Sequence, residues 1–214
     1  MGLFVTFEGI EGSGKTTQIA FAGDFLRSQG VPCVVTSEPG GSALGGELRR
    51  LLLESGAPSI AERAELFLFA ADRAQHVDEV ILPGLKEGKV VLCDRYCDAT
   101  IAYQGYGRGL DRDMIDQVNS YAARSLKPHC TLLFDMPPEE GLHRVRHRAV
   151  DSSLTEGSQD RFEQERLAFH RRVRQGYLAL AEEEPHRFRI VDAAAGMEEV
   201  SEKVRNILSE IRGS

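Results

Sequence analysis

Eight residues near the start of the chain, Gly9-Ile10-Glu11-Gly12-Ser13-Gly14-Lys15-Thr16, restrict what it can fold into. They fit Gly-x-x-x-x-Gly-Lys-[Ser/Thr] in full. Glycines let the backbone wrap until its N–H groups point inward at phosphate oxygens, a lysine adds a cation, and a hydroxyl is available to a divalent metal. The apolar run 3–7 precedes the loop and a helical pattern follows it. The loop therefore joins a buried strand to a helix whose positive end faces the same anion.

The rest of the chain repeats that alternation. Apolar runs at 33–36, 90–93, 131–134 and 188–191 are continuous, as strands buried on both faces must be. Helices are expected at 15–29, 44–55, 61–81, 111–124, 138–148, 160–183 and 197–211. In the last, Val200, Val204, Ile207, Leu208 and Ile211 recur at helical spacing. This is an α/β pattern of parallel strands with helices on both faces. Residues 149–159 are small, polar and without periodicity, and read as a surface loop.

A length of 214 residues with no linker or repeat makes a single domain over 1–214 the default. A net charge of −7 argues against a general nucleic-acid binder, and no apolar run reaches the roughly 20 residues of a membrane helix. The opening residues carry no basic n-region or cleavage site, so a cytoplasmic protein is expected. Cys33, Cys93, Cys97 and Cys130 form no Cys-x-x-Cys pair and read as structural thiols.

Around the loop, Lys15 is expected to reach the β- and γ-phosphates, with Glu11, Gly12, Ser13, Gly14, Thr16 and Thr17 completing the nucleotide site. Asp94 ends an apolar run, where with Thr16 it would organise Mg²⁺; Arg95 follows, where a cation could bridge phosphates. An Asp-Arg ion pair at the surface is the plainer alternative. Arg144, Arg146 and Arg148 precede the polar loop and Arg161 follows it, so about 142–161 reads as a lid. A regular helix puts Arg144 and Arg148 on one face and Arg146 on another. An arginine inserted at a transferring phosphoryl group is worth about 10³–10⁵-fold in rate; a solvated basic helix face is the alternative. His143 and His147 are also four apart, and among so many arginines read as surface residues.

GTPase switches, motors, ATP-driven binding modules and small kinases share this loop. The chain lacks a guanine-specifying Asn-Lys-x-Asp and is too short for a motor domain. Four segments in order, 7–17, Glu38-Pro39-Gly40-Gly41, Asp94-Arg95-Tyr96 and Ala102-Tyr103-Gln104-Gly105, make it resemble the thymidylate kinase family.

The resemblance implies a three-layer P-loop nucleoside monophosphate kinase fold. Its five-stranded parallel sheet would have the order 2-3-1-4-5. It implies transfer of a phosphoryl group from ATP, with Mg²⁺, to dTMP, and a homodimer with the helices at 61–81 and 111–124 as contact surfaces. It also implies that Glu11 meets the 3′-hydroxyl of the bound monophosphate, that Phe69 stacks on the base and that Arg73 bonds its carbonyl edge. Thr100 and Gln104 would lie beside the base, Tyr103 would crowd the sugar C2′, and Arg49 and Arg95 would hold the monophosphate's phosphate. Family members of one type carry an arginine inside the phosphate loop. This loop has none, which implies catalytic arginines in the lid. A kinase for another pyrimidine monophosphate and a non-catalytic ATP-binding regulator remain as alternatives. Glu38-Pro39 is a candidate for a cis bond, and the region of Arg144 and 192–194 a candidate for holding adenine.

Overall fold

Strand β1 (Leu3–Glu8) lies at the centre of a parallel sheet, hydrogen-bonded to β3 (Val90–Asp94) on one side and β4 (Cys130–Asp135) on the other. The outer strands are β2 (Cys33–Ser37), beside β3, and β5 (Phe188–Asp192), beside β4. The order is β2-β3-β1-β4-β5, as the resemblance implied. This computed structural model describes residues 2–54, 59–151, 161–163 and 165–213, without the side chains of 148–151. The side chain of Arg148 and residues 152–160 of the expected lid accordingly lie outside what is described.

The central strands are buried along almost their whole length, which is why their sequences are apolar runs rather than alternations. Phe4, Val91 and Cys93 share one apolar cluster with Val77, Ile81 and Leu85. Val5, Phe7 and Leu92 belong to another, with Ile19, Ala22 and Leu26 of α1 (Lys15–Ser28) and with Val200, Val204, Ile207 and Leu208 of α9 (Met197–Gly213). Among the described residues, no helix is long and apolar enough to cross a membrane. The four cysteines are free thiols, with Cys93 and Cys130 buried.

The other helices are α2 (Ala43–Leu53), α3 (Glu62–His76), α4 (Leu82–Lys86), α5 (Cys97–Thr100), α6 (Arg112–Ala122), α7 (Pro138–Asp151) and α8 (Leu167–Glu183). Three depart from the sequence expectation. The helix expected to run from 61 to 81 passes at Val77–Ile81 into a wider π turn and then into α4. Pro83 has no N–H to give and its ring crowds the preceding turn, which the wider turn accommodates. The segment 97–107 was given no helix. It forms α5 and a π-helical stretch, Ile101–Gly107, in which Ile101 to Gln104 are all buried. A helix buried all round shows no amphipathic period. The helix expected from 160 starts at Leu167. Before it, Arg161 donates its backbone N–H to Leu53 O and Nε to Leu52 O, drawing the chain aside.

Candidate active site

The phosphate loop sits where β1 stops. Gly12 has φ +74°, and a Cβ there would lie 2.1 Å from the carbonyl oxygen of Gly141 on α7, so loop and helix touch backbone to backbone. Gly14, at φ +84°, turns the chain into α1. Lys15 Nζ donates to Ile10 O at 2.8 Å and lies 3.3 Å from Ser13 Oγ, curling round the loop. Burial, then the like charge of Arg95, pushes its ammonium down to about 8.

Pairing of Phe7 with Asp94 brings the end of β3 beside the loop, and Thr16 Oγ1 donates to Asp94 Oδ2 at 3.0 Å. A hydroxyl and a carboxylate are hard oxygen donors suited to Mg²⁺. Among the described residues no cluster of three or more His, Cys, Asp or Glu side chains forms an all-protein metal cage. Mg²⁺ bound through one or two protein oxygens, phosphates and water needs none.

Arg95 is held in a left-handed conformation, φ +70°, which costs a non-glycine residue about 1–3 kcal/mol. That backbone aims its guanidinium under the loop. Nη1 donates to Gly9 O (3.0 Å) and Tyr177 Oη (3.1 Å), Nη2 to Glu11 Oε1 (3.0 Å), and the group lies 4.7 Å from the centre of the Tyr103 ring. Tyr103 Oη also donates to Glu11 Oε1. Burial alone would raise the Glu11 carboxyl; contact with His170 and the charges of Arg95 and Lys15 outweigh it and hold it at about 2.

Arg73 also lines the site; it is buried and makes four hydrogen bonds out of a capacity of five. They run to Glu38 Oε2 (2.8 Å), Asn119 Oδ1 (2.6 Å), Tyr96 O (3.1 Å) and Thr100 Oγ1 (3.0 Å). Thr100, Tyr103 and Gln104 share one face of the helical stretch 97–107. Gln104 Nε2 donates to Glu65 Oε1 at 2.8 Å, and the same buried carboxylate accepts from Arg108 and Arg161. Phe69, half-buried, faces Phe162 at 6.2 Å. Arg49 donates to Pro39 O at 2.8 Å, beside the cis Glu38–Pro39 bond.

A cleft of about 320 Å³ joins these groups. Its walls include Glu11, Gly12, Gly14, Lys15, Thr16 and Thr17 of the loop region, Asp94 with Arg95, and Arg49, Phe69, Arg73, Thr100, Tyr103 and Gln104. Ser13 lies beneath, with its hydroxyl donated to Ile10 O at 2.9 Å. Two of the arginines expected in the lid are elsewhere: Arg144 Nη1 donates to Ala193 O at 2.9 Å, and Arg146 is exposed on α7. Arg144 and the segment after β5 thus meet, the pair singled out for adenine. His143 and His147 face each other at the surface, Nε2 to Nε2 at 3.0 Å.

Sequence reasoning gave no role to Glu38, which binds Arg73 and His76 from below, or to Tyr177, which bridges Arg95 and Glu8. It also passed over Glu65, His170 and Phe162. Glu38 stood inside a quoted marker; the others are single residues in helical or polar stretches with no motif around them. The arrangement can grip a polyphosphate at the loop, a second anion at Arg95 and Arg49, and a flat ring near Phe69.

A family model described as thymidylate kinase matches residues 7–204. The chain is 53% identical over 205 residues to the thymidylate kinase of Syntrophotalea carbinolica, covering 95% of this chain and 94% of that one. It is 54% identical over 208 residues to that of Desulfovibrio desulfuricans, covering 96% and 94%. The crystal structure of thymidylate kinase from Ehrlichia chaffeensis superposes with a TM-score of 0.77 at 34% identity, covering 98% of this chain and all of that one. With matches of this length and identity, the chain belongs to the thymidylate kinase family.

Proposed function

We propose that this chain transfers the γ-phosphoryl group of ATP to dTMP, yielding dTDP and ADP for dTTP synthesis in the cytoplasm. The observation that carries the reading is one cleft that opens at one end on the phosphate loop and at the other on Phe69, Arg73, Thr100, Tyr103 and Gln104, with Arg95 between. The relatives' names supply the substrate.

In this reading Lys15 and the loop N–H groups hold the ATP phosphates, and Arg49 and Arg95 hold the phosphate of dTMP. Thr16 and Asp94 would hold Mg²⁺, which when bound would supply positive charge to offset that of the phosphates. Glu11 accepts from the sugar 3′-hydroxyl, Tyr103 closes the space at C2′, and the one unused N–H of Arg73 meets a base carbonyl. The attacking phosphate oxygen is already anionic, so no general base is needed; positioning and charge neutralisation set the rate. Arg144, tied to Ala193 O, suits the adenine side. Arg146 and Arg148 are then the lid cations for the transferring group. A homodimer is supported by the exposed Phe67 of α3 and Met114 and Tyr121 of α6, on the two helices expected to make the contact.

The test is ADP release in a coupled assay with dTMP, dUMP and UMP in turn. Release that depends on dTMP and is fastest with it is expected. No nucleotide-dependent release would overturn the kinase reading, and faster turnover of dUMP or UMP the substrate.

A further inference from the structure

His170 is buried and titratable, and beyond its effect on the Glu11 carboxyl it has no part in the site described above. It lies on α8, 1% exposed, with Nδ1 3.1 Å from Glu11 Oε2. The ring is not aligned along that line, and Glu11 Oε2 and both imidazole nitrogens are left without a hydrogen-bond partner. Interior polar atoms left unpaired are rare and destabilising, and they concentrate where a ligand completes the bonding. The two oxygens of Glu11 differ sharply. Oε1 is filled, accepting from Tyr103 Oη and Arg95 Nη2. Oε2 lies against the imidazole without a hydrogen bond.

We propose that His170 is a positioning residue for substrate selection: it holds the inner oxygen of Glu11, so that the carboxylate keeps the orientation in which it accepts a hydrogen bond from the 3′-hydroxyl of the nucleotide sugar. The inference rests on the reading that Glu11 faces the sugar. With Oε1 tied down, the carboxylate can still pivot around that oxygen as the side chain's other bonds adjust; a contact at Oε2 limits the pivot. The edge-on packing of Phe169 against the His170 ring (5.6 Å) and the tight fit of Phe169 over Gly107 hold the imidazole in place. A carboxylate so fixed discriminates by what it loses, because a sugar without the hydroxyl leaves a buried charge short of a donor.

The experiment compares kcat/KM for dTMP and for 3′-deoxy-dTMP in the wild type, His170→Phe, His170→Gln and Glu11→Gln. In His170→Phe, kcat/KM for dTMP is expected to fall about 10-fold, mainly through KM, with the 3′-deoxy nucleotide changed less than twofold, so discrimination shrinks about 10-fold. His170→Gln, which keeps a donor, is expected to recover part of it. Equal losses on both nucleotides would mean a purely structural role and overturn the proposal. So would unchanged discrimination in His170→Phe while Glu11→Gln loses it, which leaves the Glu11 reading standing. Unchanged discrimination in Glu11→Gln itself overturns that reading and the proposal together. If His170→Phe does not fold, the same ratio in His170→Leu, smaller and also without a donor, decides: an unchanged KM and ratio there refute the positioning role.

Discussion

Adding one methyl group at Gly141 sets two effects against each other. Gly141 is inside α7, where alanine favours the helix by about 1 kcal/mol. The new Cβ would stand 2.4 Å from Glu11 O and 3.2 Å from Ile10 Cδ1. Ordinary contact begins near 3.4 Å, so α7 and the phosphate loop must part by about 1 Å. Overpacking of that kind costs about 1–3 kcal/mol. The net result expected is a loss of about 1 kcal/mol, a Tm lower by about 2–4 °C for a chain of this size. The larger effect should be kinetic, because a loop displaced by about 1 Å misplaces the phosphates and costs about 100-fold in kcat. Gly46→Ala is the control: it adds the same methyl inside α2 with nothing within 4 Å, so Tm should rise by about 2–4 °C with unchanged kinetics. Thermal unfolding and the ADP-release assay measure both. If Gly141→Ala raises Tm as Gly46→Ala does and keeps kcat within twofold, the contact does not position the loop.

Three further outcomes follow from the site. Lys15 is held at about 8, below its ordinary 10.5, so the free enzyme sheds this proton as pH rises through 8, and stability rises with pH from about 8 to 10.5. Bound phosphates restore the proton, so ATP binding at pH 8.5 should take up a fraction of a proton. Titration calorimetry in two buffers of different ionisation enthalpy reads this, and identical heats would contradict it. Glu38→Gln leaves the buried Arg73 guanidinium without its carboxylate; a loss of about 3–5 kcal/mol and a Tm lower by about 10 °C are expected. A change under about 1 kcal/mol would show that Asn119 and Tyr96 suffice. Arg144→Ala, Arg146→Ala and Arg148→Ala should lower kcat more than they raise the KM for dTMP in at least one case, and wild-type turnover in all three would move the catalytic cation away from the expected lid.

Much of the fold is legible in the sequence because its signals are local. The apolar runs at 3–7, 90–93 and 131–134 mark strands buried on both faces, and the valines and isoleucines of 200–211 mark the inner stripe of α9. The strand order is not local: nothing in the run 188–191 says that it lies beside 131–134, and the order came from resemblance. The phosphate loop is likewise a contiguous motif. The floor of the site is not, because Arg73 meets Glu38 and Asn119 across dozens of residues, and the segment presenting Thr100, Tyr103 and Gln104 has no polar face to give a period. His170 could be found only once folding set it against Glu11. The left-handed turn at Arg95 had no signal at all, since the residue there is not glycine.

The carboxylate of Glu65 has a wider consequence. One oxygen accepts from Gln104, expected beside the base, and the other from Arg161, at the end of the expected lid. A single buried group thus divides its bonding between the part of the protein that would sense the base and the part that returns from the lid. Any rearrangement at Gln104 that weakens its hold on Glu65 alters the hold on Arg161, and by reciprocity any tension at Arg161 alters the orientation of Gln104. If Gln104 meets the base and Arg161 ends a lid, choice of base and closure over the phosphates would be two readings of one equilibrium, and a substitution made to change the first should be assayed for the second.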